Sequence, residues 1–182
     1  MALLVSVLWA PRAAWAEENA PNNLSVMDAL ALRLSDVESM PSAESFVTGG
    51  EPTAALLFAL YDDARRPMLI RVRALRALSY FPADAAQSRL SAVIADTHAK
   101  VVLIREAALG LARCVGASAV EPIARMLSRS DVRIRRVAIE ALASIDSADA
   151  RAKLHAHRNT ESDPSARTAL DTALHSHPVL AH

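Results

Sequence analysis

Apolar side chains recur with a long period over most of the chain. Four segments align on an anchor residue followed by arginine, and the anchors stand 34, 30 and 32 residues apart (70 to 104, 104 to 134, 134 to 166). The anchors are Ile70, Ile104, Ile134 and Ala166. Positions 0, 4, 7 and 8 of each segment are apolar, which is the spacing of one face of an α-helix. The pattern predicts four copies of an amphipathic helix within an internal repeat.

A second apolar segment with its own register precedes each anchor helix. The first three copies carry apolar triplets at matching places: Leu57, Leu60 and Tyr61; Leu90, Val93 and Ile94; Ile123, Met126 and Leu127. The fourth copy has Leu154 but His157 in the middle place, which is typical of a terminal repeat whose outer face meets water. Each repeat is therefore predicted to be a helical hairpin with a first and a second helix. The fold class that follows is all-α: an α-α superhelix, or solenoid, of about four hairpins.

Polar residues mark the predicted ends of these helices. Asp131 and Asp163 stand three residues before their anchors, where a side-chain oxygen can cap free helix N–H groups. Upstream, an amphipathic stretch that begins at Ser25 predicts an N-terminal capping helix, with Ser25 and Asp28 as a capping box. The stretch 41–51 is predicted to be a loop.

The first residues resemble an export signal. A short apolar run ends in Ala14-Trp15-Ala16, a small-x-small pattern, and two glutamates follow it, although no Lys or Arg precedes the run. The run is too short to span a bilayer, which takes about 20 apolar residues. We expect a signal peptide over 1–16, an N-terminal segment with the capping helix over 17–51 and the repeat domain over 52–178. The predicted localisation is periplasmic or secreted, after cleavage near Ala16.

Composition and charge exclude several kinds of function. The chain has 20 basic and 20 acidic residues, so no long-range field attracts nucleic acid, and nucleic-acid binding is not expected. The four glycines leave little material for phosphate-binding loops. Cys114 is the only cysteine, so no internal disulfide forms, and a packing role is favoured.

The third copy carries a family resemblance. From Asp131 it runs Asp-Val-Arg-Ile-Arg-Arg-Val-Ala-Ile-Glu-Ala-Leu, a turn aspartate followed by Val-Arg-x-x-Ala-x-x-Ala-Leu. With the apolar first helix before it, this resembles the HEAT-like repeats of the phycobilisome-lyase type, and the resemblance covers roughly 52–176. It implies an α-α superhelix of the armadillo-like kind and, most often, a protein-binding scaffold. Some relatives assist the attachment of bilin pigments, so a lyase or pigment-handling accessory protein is the alternative.

An arginine follows every anchor residue. These four arginines form an Arg ladder: Arg71, Arg105, Arg135 and Arg167. Guanidinium groups bind phosphates and carboxylates, so the ladder invites an anion-binding interpretation. Structural pairing with the inter-repeat turns that carry Asp131 and Asp163 is the favoured one, because it keeps partly buried charges satisfied.

The second helices also have a polar side opposite the apolar arc. In a solenoid such a stripe runs across repeats, and partners bind there. Its mixed charge favours a protein partner over a polyanion; a merely solvated face is the alternative. The predicted partner-binding residues are Arg76, Glu106, Arg113, Arg136, Glu140 and Thr172.

No familiar catalytic signature is present. The sequence lacks H-E-x-x-H, G-x-S-x-G and the phosphate-loop pattern G-x-x-x-x-G-K-[ST]. His155 and His157 lie two apart, which places them on different sides of a helix, so no metal site is expected. No catalytic residue and no cofactor is predicted. The sequence therefore predicts a non-enzymatic scaffold that binds a protein along a concave second-helix face.

Overall fold

The computed structural model describes residues 20–36, 40–48, 50–81 and 83–176. Every regular element in these ranges is helical. The predicted signal peptide over 1–16, and with it the predicted cleavage site, lies outside the described residues.

Two helices precede the repeats, and four helical hairpins follow them. The N-terminal segment contains α1 (Ala20–Ser35) and α2 (Ala43–Val47). The first two hairpins are α3 (Gly50–Asp62) with α4 (Met68–Leu78) and α5 (Ala83–Ala95) with α6 (Val101–Val115). In the third, the first helix is α7 (Val120–Ala124) between two 3₁₀ turns, Gly116–Ala119 and Arg125–Ser128, and the second helix is α8 (Val132–Ala143). The fourth is α9 (Ala148–Arg158) with α10 (Pro164–Ser176).

The hairpins stack in chain order. Second helices pack directly on one another, α4 on α6, α6 on α8 and α8 on α10, and each first helix packs on the second helix of its own hairpin. Helix α1 packs on α3 and α4 and so closes the N-terminal end. The predicted fold class, an α-α solenoid with a capping helix, is confirmed.

The anchor residues occupy equivalent places in the core. The exposed fractions of Ile70, Ile104 and Ile134 are 8%, 0% and 7%, and Ala166 is fully buried. Four residues later each repeat again has a fully buried side chain: Ala74, Ala108, Ala138 and Leu170. The three apolar triplets of the first helices are buried as well. In the first three repeats the side chain at this second place is alanine, which is small enough to allow neighbouring second helices to approach closely.

Two predicted helix caps are present. The Asp131 carboxylate accepts from the Arg133 backbone N–H at 2.9 Å, at the start of α8. The Asp163 carboxylate accepts from the N–H groups of Ser165 and Ala166 at 2.9 and 3.0 Å, at the start of α10. Each carboxylate satisfies donors that the first turn of a helix leaves free.

The predicted start of the capping helix is wrong. Helix α1 begins at Ala20, so Ser25 lies inside it rather than at its start. Asp28, the second member of the predicted capping box, accepts instead from Arg66 Nη2 at 2.7 Å. This ion pair ties α1 to the turn between α3 and α4.

The predicted loop over 41–51 is also wrong in part, because it contains α2 and the start of α3. Phe46 in α2 is fully buried, and its ring stacks on Tyr80 with the centroids 6.2 Å apart. A single aromatic side chain thus provides the apolar area that holds this short helix against the first repeat.

Candidate functional site

An ion-pair network connects the second helices of three repeats. Arg76 on α4 donates from Nε and Nη2 to the two carboxylate oxygens of Glu106 on α6, both at 3.0 Å. Arg105 on α6 donates to Glu106 at 3.3 Å and, from Nε, to Glu140 on α8 at 2.9 Å, with a second bond from Nη2 to Glu140. We call these four residues the inter-repeat ion network. Its charges alternate and cancel, so it links repeats without leaving a net charge.

Glu106 does not lie on the open polar side where the sequence places it. Only 3% of the residue is exposed, because it is enclosed between α4 and its own helix, where Arg76 and Arg105 both reach it. The Glu106 carboxylate raises the pKa of the Arg76 guanidinium above its ordinary value. Burial of a carboxylate demands such partners. The structure therefore assigns Glu106 a contact between repeats; its predicted role in partner binding would require these bonds to break.

In the first three repeats, the arginines of the Arg ladder donate hydrogen bonds to acceptors other than the predicted aspartates. Arg71 Nε donates to the Tyr61 carbonyl at 2.7 Å, at the end of the preceding helix. Arg105 belongs to the inter-repeat ion network, and Arg135 binds carbonyls of its own turn together with a glutamate of the next repeat. Arg167 lies on α10, the second helix of the fourth repeat, and is exposed. In the described part of the chain, no further repeat packs against this helix. Within repeats one to three, the ladder arginines join helices and turns.

Glu161, which sequence reasoning missed, is the glutamate that binds Arg135. Arg135 Nε and Nη2 donate to its two oxygens at 2.7 and 2.9 Å, the backbone N–H of Asp163 donates at 2.9 Å, and His157 Nε2 lies 3.0 Å from Oε2. The whole Glu161 residue, backbone included, is 6% exposed. The Arg135 guanidinium, followed by the Asp163 N–H and His157, lowers the pKa of Glu161 to about 2.

This cluster is a clamp and not an acid catalyst. At neutral pH the Glu161 carboxyl is ionised, so it has no proton to donate. The available signal in the sequence was its spacing: Glu161 follows His157 by four residues and comes just before the last second helix.

A cavity of about 500 Å³ lies on the second-helix side between α6, α8 and α10. Arg136, Glu140 and Thr172, three of the predicted partner-binding residues, line it together with Arg105 of the Arg ladder. Its volume is in the range of roughly 300 to 1,000 Å³ that is common for ligand pockets. The structure thus brings half of the six predicted residues to one place.

The other predicted residues lie outside this cavity. Arg113 is exposed and donates from Nε to the Ser79 hydroxyl at 3.2 Å, whereas Arg76 and Glu106 belong to the inter-repeat ion network. Arg136 is exposed, and no hydrogen bond or ion pair from it is found within the described ranges. Its guanidinium group is therefore available to bind a ligand in the cavity.

Three further observations concern Cys114, metal-binding groups and membrane-spanning helices. Burial raises the pKa of the Cys114 thiol, which lies 3.6 Å from the Phe81 carbonyl oxygen, so the thiol form dominates at neutral pH. The described residues contain no group of three or more His, Cys, Asp or Glu side chains that could hold a metal ion. In the same ranges no helix has the length and apolarity needed to cross a membrane.

Comparisons with known proteins agree with the geometry. Residues 101–175 match the family model of HEAT repeats. The structure of human deoxyhypusine hydroxylase in complex with glycerol is similar, with a TM-score of 0.55 and 19% sequence identity over 83% of this chain. The similar region is 62% of that chain, so this chain spans less than two thirds of its length. Among curated proteins, none matches. The chain thus has a helical solenoid fold, with HEAT repeats matched over residues 101–175; the phycobilisome-lyase type remains a resemblance.

The structural comparison corrects one prediction. The sequence, which lacks a familiar catalytic signature, predicts that the chain is not an enzyme, and this prediction is wrong because the similar structure is that of an enzyme. At 19% identity the likeness shows the fold alone and transfers no activity.

Proposed function

We propose that this protein is a HEAT-repeat scaffold that holds a protein partner along the solvent-facing side of its second helices. The observation that carries the proposal is a row of exposed polar side chains on the second helices, which the inter-repeat ion network joins to one another across repeats. Arg113, Arg136, Glu140 and Thr172 are all exposed, and three of them line one cavity. Solenoids of stacked helical pairs use such continuous surfaces for extended contacts with partners.

Charge supports a protein as the partner. The whole chain is formally neutral, and the cavity has Glu140 beside its arginines. A polyanion is held by many unopposed cations, and its binding falls steeply with salt. A surface of mixed charge suits a partner whose own charges alternate, because complementary charges then set orientation and specificity.

Site-specific photo-crosslinking in the native host tests the proposal. A benzoylphenylalanine at Thr172 places the reactive group on the second-helix side, and the same residue at Ser128 places it on the exposed 3₁₀ turn of a first helix. We expect irradiation to give a discrete crosslinked species from position 172 and none from position 128. Crosslinks from position 128 alone, or from neither position, would contradict partner binding by the second helices.

The contacts of each arginine determine whether reversal of its charge tests partner binding or disturbs folding. Arg76→Glu would place a second carboxylate against the buried Glu106, so loss of binding in that variant would be confounded with loss of folding. Arg113→Glu combined with Arg136→Glu changes exposed side chains only. We expect this double variant to lose the crosslink from position 172 while it keeps the helicity of the wild type.

Export is part of the same proposal. The support for it is the apolar run that ends in Ala14-Trp15-Ala16. Intact-mass measurement after expression in the native host should give a chain that starts at Glu17. A product that keeps residues 1–16 would contradict export without affecting the proposed binding surface.

A further inference from the structure

The 500 Å³ cavity continues along the last repeat. It shares Thr172 with an adjoining cavity that Thr168, Asp171 and His175 also line. The two cavities lie side by side on α6, α8 and α10, with Thr172 between them. We call the two together the α6/α8/α10 groove. Its extent suits an extended chain better than a compact molecule.

The floor of the groove is apolar and built from small side chains. Val137 on α8 is 5% exposed, and Ala143, Ala169 and Ala173 are partly buried beside it. Alanine leaves the space that a larger side chain in the same place would fill. An aliphatic side chain of a partner that enters here would transfer apolar area out of water, which contributes about 25 cal/mol per Å².

The wall of the 500 Å³ cavity carries three arginines and one glutamate. Two of the three cations are already neutralised, since Arg105 is bound by Glu106 and Glu140, and Arg133 is bound by Asp131 at 2.7 Å. The third, Arg136, has no such partner in the described part of the chain. A free guanidinium beside an apolar floor can bind a carboxylate through two parallel hydrogen bonds.

From these observations we propose that the groove takes a linear, acidic segment of the partner protein. A Glu or Asp of the segment binds Arg136, and a neighbouring aliphatic side chain of the segment lies on Val137, Ala169 and Ala173. The inference rests on the proposed function, protein binding by the second helices, and adds the class of segment that is bound.

The acidic residues of the groove argue against a nucleic-acid strand as its occupant. Glu140 and Asp171 line the two cavities, so a chain with a phosphate at every residue would meet carboxylates on its way along the groove. A peptide with one or two carboxylates in a fixed position avoids that repulsion. Charge complementarity therefore favours a peptide with a localised acidic position.

Selection from a displayed library of random dodecapeptides on the immobilised full chain is the test. We expect enriched peptides to carry Glu or Asp within a few positions of Leu, Ile or Val. Fluorescence anisotropy then measures the dissociation constants of the enriched peptides for wild type, Arg136→Gln and Arg136→Glu. We expect binding to be about tenfold weaker for R136Q, which loses one charge-assisted bidentate contact, and weaker still for R136E.

The matched control is Arg125→Glu, which reverses an exposed arginine on the first-helix side of the same repeat. We expect it to bind the enriched peptides as the wild type does. Circular dichroism and thermal melting of every variant check that the fold is retained.

Three results would overturn the inference: no enriched peptide, enriched peptides without an acidic residue, or equal affinity for wild type and R136Q. Peptides that lose affinity for Arg113→Glu but not for R136Q would overturn it while the proposed function stands. Peptides that lose affinity only for Arg125→Glu would place binding on the first helices, and then both proposals fail.

Discussion

Arg135 and Glu161 face each other across two parallel hydrogen bonds of 2.7 and 2.9 Å, 26 residues apart in the chain. The contact joins the start of α8 to the turn between α9 and α10. Both side chains are shielded, with exposed fractions of 15% for Arg135 and 2% for Glu161. Because the pair bridges consecutive repeats, it reports directly on how the last repeat is held to the third.

Replacement of Glu161 by Gln should destabilise the protein. The neutral amide would leave the largely buried Arg135 side chain without a counter-charge, and removal of one partner of a buried ion pair costs about 3 kcal/mol. Urea unfolding followed by circular dichroism measures the difference in the free energy of unfolding. Asp149→Asn, at an exposed acid in the first turn of α9, is the control and should change stability little. Equal stability of wild type and E161Q would contradict the clamp.

Acid should weaken the wild type more than this variant. The pKa of Glu161 is lowered from 4.5 to about 2, so the unfolded chain takes up the proton more readily than the folded one. The contribution of Glu161 is therefore complete above about pH 4.5 and is lost as the pH falls towards 2. Between pH 6 and pH 3 we expect wild type to lose about 2 kcal/mol more than E161Q. Parallel pH profiles for the two proteins would show that Glu161 has an ordinary pKa when folded.

Arg76 and Glu106 should be energetically coupled. A double-mutant cycle with Arg76→Ala and Glu106→Ala isolates their interaction, for which we expect about 1 to 3 kcal/mol, as for residues within one hydrogen-bonded network. The solvent-exposed pair Lys153 and Glu121 is the comparison, and its coupling should be clearly smaller. If the coupling energy of Arg76 and Glu106 is no larger than that of Lys153 and Glu121, the buried position of Glu106 has no energetic consequence.

Two glycines should respond to alanine in opposite ways. Gly116 ends α6 with φ = 54°, a left-handed conformation that costs other residues roughly 1 kcal/mol or more, so Gly116→Ala should lower the melting temperature. Gly110 lies inside α6, and a Cβ there would meet Leu90 and Ser79 at 3.4 Å, an ordinary contact. Gly110→Ala should be neutral or slightly stabilising, since alanine is the better helix former. Destabilisation of similar size at both sites would contradict these local geometries.

The repeat architecture was predictable because its signal is local and periodic. Ile70, Ile104 and Ile134 occupy equivalent buried places, and Asp131 and Asp163 cap the helices that they precede. In each case the cause lies within a few residues of the effect. Periodic burial and helix caps can therefore be inferred from one sequence.

Contacts between distant parts of the chain were not predictable in the same way. Glu106 has the spacing of a solvent-facing residue, but it is buried where α4 packs against α6, and Arg76, 30 residues earlier, binds it there. Phe46 lies in a stretch that resembles a loop, and Tyr80 of the first repeat provides the surface against which it packs. Such partners are set by how the repeats stack, which helix periodicity does not encode.

Chemical modification of arginines tests the central claim, that the second helices bind the partner. Phenylglyoxal labelling, mapped by mass spectrometry, is carried out on the free protein and on the complex trapped from position 172. We predict that Arg113 and Arg136 are protected in the complex, whereas the exposed Arg65 and Arg125, in the turn after α3 and in a first helix, react as in the free protein. Protection of Arg125 together with full reactivity of Arg113 and Arg136 would contradict the account.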